Sequence, residues 1–124
     1  MSALLLASAG TDRTALVVRV KMDEGWHVNA NPASFPFLVA TTVEVPEGNS
    51  AVSVQYPEGR DFRPGFAPTA IRVYEGTIEI PVTLERALVP TERLALRFQA
   101  CDATRCLPPG RAVLELDAPA PALR

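Results

Sequence analysis

From Leu16 onward the chain alternates strictly: Leu16, Val18, Val20 and Met22 fall on one face and Val17, Arg19 and Lys21 on the other. A helix would repeat its apolar positions every three to four residues, so a period of two specifies a strand with one face in a core. The same alternation returns three times. Val52, Val54 and Tyr56 oppose Ser53 and Gln55; Ile78, Ile80, Val82 and Leu84 oppose Thr77, Glu79, Pro81 and Thr83; Leu94, Leu96, Phe98 and Ala100 oppose Arg97, Gln99 and Cys101. Turn signals separate these runs at Asp23-Glu-Gly25, Pro46-Glu-Gly-Asn49, Pro57-Glu-Gly59, Tyr74-Glu-Gly76 and Pro108-Pro-Gly110. The best helix candidate, Leu84 to Leu96, is broken by Pro90 and lacks a sustained apolar stripe, so it reads as a loop. An all-β chain of about eight or nine strands, punctuated by 12 prolines, packs most simply as an immunoglobulin-like two-sheet β-sandwich. Pro81 inside a strand predicts an edge or a bulge at that point.

A length of 124 residues, 48% of them hydrophobic, suffices for one core and one domain spanning 1–124, with Asp117 to Arg124 resembling the start of a linker. Twelve basic and fourteen acidic residues, spread without long runs, form no stripe suited to phosphates or anionic lipids, so nucleic acid is not an expected partner. Ala3 to Ala7 is apolar but too short for a membrane span or a signal-peptide core, and it reads as the first strand. Ala7-Ser8-Ala9 has the look of a cleavage site, but the expectation is that any export signal lies upstream of this chain. No direct membrane insertion by this segment is expected.

Cys101 and Cys106 are the only cysteines, with four residues between them. A cross-link closing so short a loop removes little entropy from the unfolded chain, roughly 2 kcal/mol, whereas a structural staple normally joins distant strands. A segment of this length folded back on itself can bring two Cα atoms to the roughly 4.4–6.8 Å that a disulfide requires, so the bond is geometrically possible. Thiol exchange needs an accessible sulfur and a second cysteine to resolve the mixed disulfide, and this pair supplies both. Cys101 shares a face with Arg97 and Gln99, which points it away from the core and towards a surface that a partner reaches. Arg105 beside Cys106 favours its thiolate and Asp102 beside Cys101 opposes ionisation there, without deciding which sulfur is the nucleophile. An inert local disulfide in a binding or scaffolding β-sandwich remains the alternative.

Other chemistries fail by count or pattern. One histidine and two cysteines are too few for a four-ligand zinc site, and a blue-copper site needs two histidines with its cysteine. A Cys-x-x-Cys at a helix start, a glycine-rich phosphate loop and a Gly-x-Ser-x-Gly elbow are all absent from the sequence. Pairing of a cysteine with His27, as in papain-like proteases, has no supporting local signature. Two stretches interrupt the strand pattern: Asn29 to Pro36, a proline-broken connection, and Pro57 to Pro68, a long irregular loop carrying Phe62 and Phe66. Such loops serve as lids or binding segments, or their aromatics plug back into the sandwich edge.

Gly25-Trp-His-Val-Asn29, Tyr56-Pro-Glu-Gly59, Val73-Tyr-Glu-Gly76 with Ile80-Pro-Val82, and above all Phe98-Gln-Ala-Cys-Asp-Ala-Thr-Arg-Cys-Leu-Pro-Pro109 resemble the N-terminal periplasmic domain of thiol:disulfide interchange proteins of the DsbD type, including the related disulfide bond corrector domains. The resemblance runs in order over Leu16 to Leu116. It implies an immunoglobulin-like sandwich with a redox-active pair, Cys101 and Cys106, needing no cofactor and acting as a thiol:disulfide oxidoreductase domain. It also implies a bacterial periplasmic or otherwise extracytoplasmic setting, in which electrons pass between a membrane-embedded thiol reductase and thioredoxin-fold proteins such as disulfide isomerases or cytochrome c maturation factors. The family shields its disulfide with an aromatic on a cap loop, and the matching position lies in Pro57 to Pro68, with Phe66 first and Phe62 second. The best-studied members place five residues between the cysteines and have acidic residues and tyrosines around them. Here the spacing is four, and the corresponding positions offer His27 and Asn29. Read from the strand pattern alone, His27 is an ordinary exposed strand histidine and Trp26 a core residue; the resemblance makes His27 a neighbour of the pair.

Overall fold

The protein is described from a computed structural model, which covers residues 7–9, 14–63 and 69–114. Residues 3–6 of the expected first strand, Phe66, and the expected linker at 117–124 lie outside the described residues. The strands are β1 (Ala7–Ala9), β2 (Ala15–Lys21), β3 (His27–Asn29), β4 (Thr42–Glu44), β5 (Ala51–Val54), β6 (Arg60–Phe62), β7 (Ile71–Tyr74), β8 (Thr77–Leu84), β9 (Ala95–Phe98), β10 (Ala100–Cys101) and β11 (Gly110–Val113). They pair in the orders β1-β2-β8-β5, β10-β3-β7-β6 and β11-β9-β4, with every ladder antiparallel. Because β9 and β10 are one run interrupted at Gln99, the last two sheets continue into each other. The architecture is an immunoglobulin-like β-sandwich. Its strand count exceeds eight or nine because that run is split and two short strands, β3 and β6, lie inside or beside stretches that read as irregular.

Alternation places the core as the sequence predicts. Leu16, Val18 and Val20 of β2 and Ile80, Val82 and Leu84 of β8 pack with Val28, Val43, Tyr74 and Leu96 from the other sheets. The segment between Leu84 and Leu96 has no helix; Leu88 drops into the core, and the Arg86 guanidinium bridges to Glu92 at 2.7 Å. The hydrogen bonds from Arg86 hold the Glu92 carboxyl at about 2. Asp23-Glu-Gly25 and Pro46-Glu-Gly-Asn49 close as turns, Trp26 N–H to Asp23 O at 3.1 Å and Asn49 N–H to Pro46 O at 3.1 Å. Both turns need the left-handed backbone that Gly25 and Gly48 adopt.

Three sequence expectations change. Pro81 is not on an edge, since β8 lies between β2 and β5. Its carbonyl accepts the Gln55 N–H at 2.9 Å, one residue beyond the end of β5, so its missing N–H faces the point where that strand leaves the ladder. The bulge falls in the neighbouring strand instead, between Ala51 and Ser53. That extra residue turns Val52 outward, 65% exposed, although simple alternation assigns it to the core. Pro57-Glu-Gly59 is not a turn but the entry to β6, where a Cβ on Gly59 would lie 2.7 Å from the Ala30 Cβ and 3.2 Å from the Val73 nitrogen. Glycine is required there by close approach.

What positions the site is a sheet covered on both sides. Val28 and Tyr74 turn one face of the β3–β7 pair into the main core. On the opposite face, Ile71 and Val73 form a second cluster with Leu38, joined by Ala33, Phe35 and Phe62. The segment 30–39, which contains a cis Asn31–Pro32 bond, lies over that second face. Asn29 Nδ2 donates to Val39 O at 3.0 Å, Asn31 Nδ2 to Thr41 O at 2.9 Å, and Thr41 Oγ1 to Asn29 O at 2.7 Å. The Tyr74 hydroxyl, on the core side, donates to Pro57 O at 2.7 Å and accepts the Asn31 N–H at 3.1 Å.

Candidate functional site

Ala100 to Leu107 forms a tight hairpin. Leu107 N–H donates to Ala100 O and Asp102 N–H to Arg105 O, each at 2.8 Å, which makes Cys101 and Cys106 a directly opposed pair between two hydrogen-bonded positions. Such pairs are the narrow sites of an antiparallel ladder. The cysteines form a disulfide, S–S 2.05 Å, with Cα atoms 3.9 Å apart, closer than the usual range expected from sequence. At the hairpin tip, Asp102 Oδ1 accepts from Thr104 N–H at 2.9 Å and Arg105 N–H at 2.8 Å. These bonds hold the Asp102 carboxyl below the usual carboxylate range. Its second oxygen meets Arg105 Nε at 3.4 Å, so the two charges flanking the cysteines engage each other.

The two sulfurs differ in access. Cys101 points away from the main core, as its strand face predicts, yet it is only 1% exposed. The expected open surface is absent because the second cluster and the segment 30–39 cover that face of the sheet. Cys106 is partly exposed. It lines a groove of about 330 Å³ with Phe37, Leu38, Gln99, Thr104 and Arg105. Phe37, 65% exposed, stacks on Phe35 with ring centroids 5.4 Å apart.

His27 pairs with Cys101 in the β3–β10 register, so the two side chains share a face and His27, Cys101 and Cys106 run in a row across the sheet. The histidine is therefore not an exposed strand residue: it is 3% exposed, and its ring lies 4.3 Å from that of Phe62. Burial pushes the imidazole below the usual histidine value, against the carboxylates of Glu75 and Asp102, which raise it. Its Nε2 is buried with no hydrogen-bond partner among the described residues, a state that costs about 1–3 kcal/mol. Asn29, on the same face, is fully buried, and its Oδ1 likewise has no partner among the described residues. It joins the site as the anchor of the covering segment. Trp26 is half-buried rather than core, with the Arg105 guanidinium 5.9 Å from its ring centroid. Lone-pair and charge chemistry is thus concentrated on the covered face.

Of the two aromatics in the expected cap, Phe62 is at the site, against His27, while Phe66 is among residues 64–68, outside the described residues. Sequence reading missed the contribution of Phe35, Phe37 and Leu38. Three large apolar residues within four positions of a proline-broken connection were the available signal. It also missed Gln99, whose amide donates to Leu107 O at 3.3 Å and accepts from Val39 N–H at 3.4 Å, tying hairpin to cover. Among the described residues, no group of three or more His, Cys, Asp or Glu side chains is arranged to hold a metal ion, and no helix is long and apolar enough to cross a membrane.

Solved structures that share the fold include two N-terminal domains. One is the N-terminal periplasmic domain of ScsB from Proteus mirabilis, with a TM-score of 0.67 and 19% identity over 94% of this chain. This chain spans just under half, 46%, of that one. The other is the Neisseria meningitidis DsbD N-terminal domain in the reduced form, with a TM-score of 0.61 and 13% identity over 88% of this chain and 87% of that one. No curated protein matches the chain. The family model described as thiol:disulfide interchange protein DsbD, N-terminal, matches residues 3–118, nearly the whole length, and with its cysteine pair held at the end of a β-sandwich the chain belongs to that family of thiol:disulfide interchange domains.

Proposed function

We propose that this domain is an extracytoplasmic electron relay in which Cys101 and Cys106 cycle between disulfide and dithiol, exchanging with a membrane thiol reductase on one side and thioredoxin-fold proteins on the other. The carrying observation is the asymmetry of the disulfide: Cys106 is partly exposed in the groove it lines with Phe37 and Leu38, whereas Cys101 is buried. In thiol exchange the attacked sulfur must be reachable in line with the S–S bond, which favours Cys106 as the point of mixed-disulfide formation and Cys101 as the resolving cysteine. The chemistry needs no cofactor. Family membership supports the periplasmic setting and a thioredoxin-fold partner, and cytochrome c maturation factors and disulfide isomerases are the candidates within that class.

A structural clasp explains the site less well. Backbone hydrogen bonds already close the hairpin on both sides of the pair, so the cross-link has little left to hold. The test is a trapping experiment with a thioredoxin-fold dithiol and a redox titration. The Cys101→Ser variant, which leaves the accessible Cys106, is expected to accumulate a mixed disulfide, and Cys106→Ser is not. A reduction potential well below about −300 mV, or no trapped species from either variant, would overturn the relay.

A further inference from the structure

The buried histidine beside the sealed cysteine has no role in holding the fold that its hydrogen bonding explains. Its Nε2 is enclosed and has no hydrogen-bond partner among the described residues, and the register sets His27 opposite Cys101 on one face of the β3–β10 pair, where Cβ atoms stand about 4.5–5.5 Å apart. The disulfided Cys101 sulfur is tied to Cys106; once that bond opens, the sulfur is free to turn towards the imidazole. We propose that His27 is the proton-handling partner of Cys101, taking the thiol proton when the cysteine resolves a mixed disulfide and returning it when the disulfide is opened.

On the relay reading, this proton transfer sits within a two-electron exchange. Cys106 thiolate attacks a partner disulfide, forming one S–S bond to the partner's sulfur and releasing the partner's other sulfur as a thiolate. The Cys101 Sγ–H proton passes to His27 Nε2, and the resulting thiolate attacks Cys106 Sγ. The Cys106–partner bond breaks and its electron pair leaves on the partner's sulfur. Two electrons have moved to the partner, and the Cys101–Cys106 bond is re-formed. His27 then loses its proton through the cavity of about 240 Å³ that it lines with Gly25, Trp26, Phe62, Glu75 and Ala103.

The surroundings suit both halves of that cycle. Burial disfavours the charged imidazole, leaving the neutral form that accepts a proton, while Glu75, just beyond β7, and Asp102 from the hairpin favour the imidazolium once it forms. Arg105, paired with Asp102, offsets part of that field, and Phe62 from β6 contributes a ring without charge. Asn29, the next residue on the same face, directs its amide group to Val39 O. No competing base therefore adjoins His27 on its own strand.

The test reads thiolate directly. In Cys106→Ser protein, absorbance at 240 nm followed against pH reports ionisation of Cys101 without any partner, so its outcome is independent of whether the relay exists. Adding His27→Gln is expected to raise the Cys101 midpoint by at least about one pH unit and to slow its alkylation by iodoacetamide at pH 7 about tenfold. A folded double variant with an unchanged midpoint would overturn the proposal. Should His27→Gln fail to fold, the unmutated domain decides: the His27 imidazole, titrated by NMR, is expected to shift its midpoint between the disulfide and dithiol states, and identical titrations would equally overturn it.

Discussion

The two faces of the β3–β7 pair are both buried, by different means. The inner face meets another sheet: Val28 and Tyr74 interdigitate with apolar side chains from β2, β8 and β9, and the Tyr74 hydroxyl finds partners there. The outer face is closed by a looped segment and by Phe62, and beneath them lie His27, Asn29 and Cys101, with His27 Nε2 and Asn29 Oδ1 lacking a partner among the described residues. Sheet-on-sheet burial maximises packing. Loop-on-sheet burial leaves room for polar groups held dry but releasable, which is what a thiol pair needs when its second sulfur must be hidden and then used.

That contrast predicts an order of effects. Leu96→Ala, in the inner core, should lower unfolding free energy by about 2–5 kcal/mol in urea titration while leaving the reduction potential unchanged; a shifted potential would mean the two faces are coupled. Gly59→Ala drives a methyl into Ala30 and Arg72 and should destabilise by about 1–3 kcal/mol. Its further effect should be faster amide exchange across residues 30–39, with little change in β2 and β8. Tyr74→Phe removes the hydroxyl that joins Pro57 to Asn31, and a loss of about 1–3 kcal/mol is expected, since the two backbone groups are left without that partner. Reducing the disulfide should cost about 2 kcal/mol or less by thermal unfolding, because the loop it closes is so short.

The smallest expected effect separates the faces by pH. His27 has a native pKa below 6.5, so the unfolded chain binds its proton first; stability falls as pH drops below 6.5 and levels off below the native value. Glu92, far from the site, is depressed from 4.5 to about 2. Its contribution is complete above 4.5 and disappears only as pH falls towards about 2. His27→Gln should flatten the upper window alone and Glu92→Gln the lower window alone. Loss of both windows from either substitution would show that the loop at 86–92 and the covered face unfold together.

Much of this was legible in the chain. Period-two runs place β2, β8 and β9 with their correct faces, and Pro90 rules out the helix before Leu94, since these are properties of a few consecutive residues. The cysteine spacing announces a local hairpin link. Val52 and Pro57-Glu-Gly59 misled, because a bulge and a close backbone approach depend on the neighbouring strand and not on the residues themselves. His27 misled for the same reason.

The sequence by itself determined the class of fold, the closeness of the cysteines and the face on which Cys101 sits, because alternation and short-range spacing are written locally. Only the tertiary structure decided that this face is covered, that Cys106 alone of the pair reaches solvent, and that His27 is sealed beside Cys101. Exposure is set by segments distant in sequence that fold back over a strand, and nothing within the strand records whether they will.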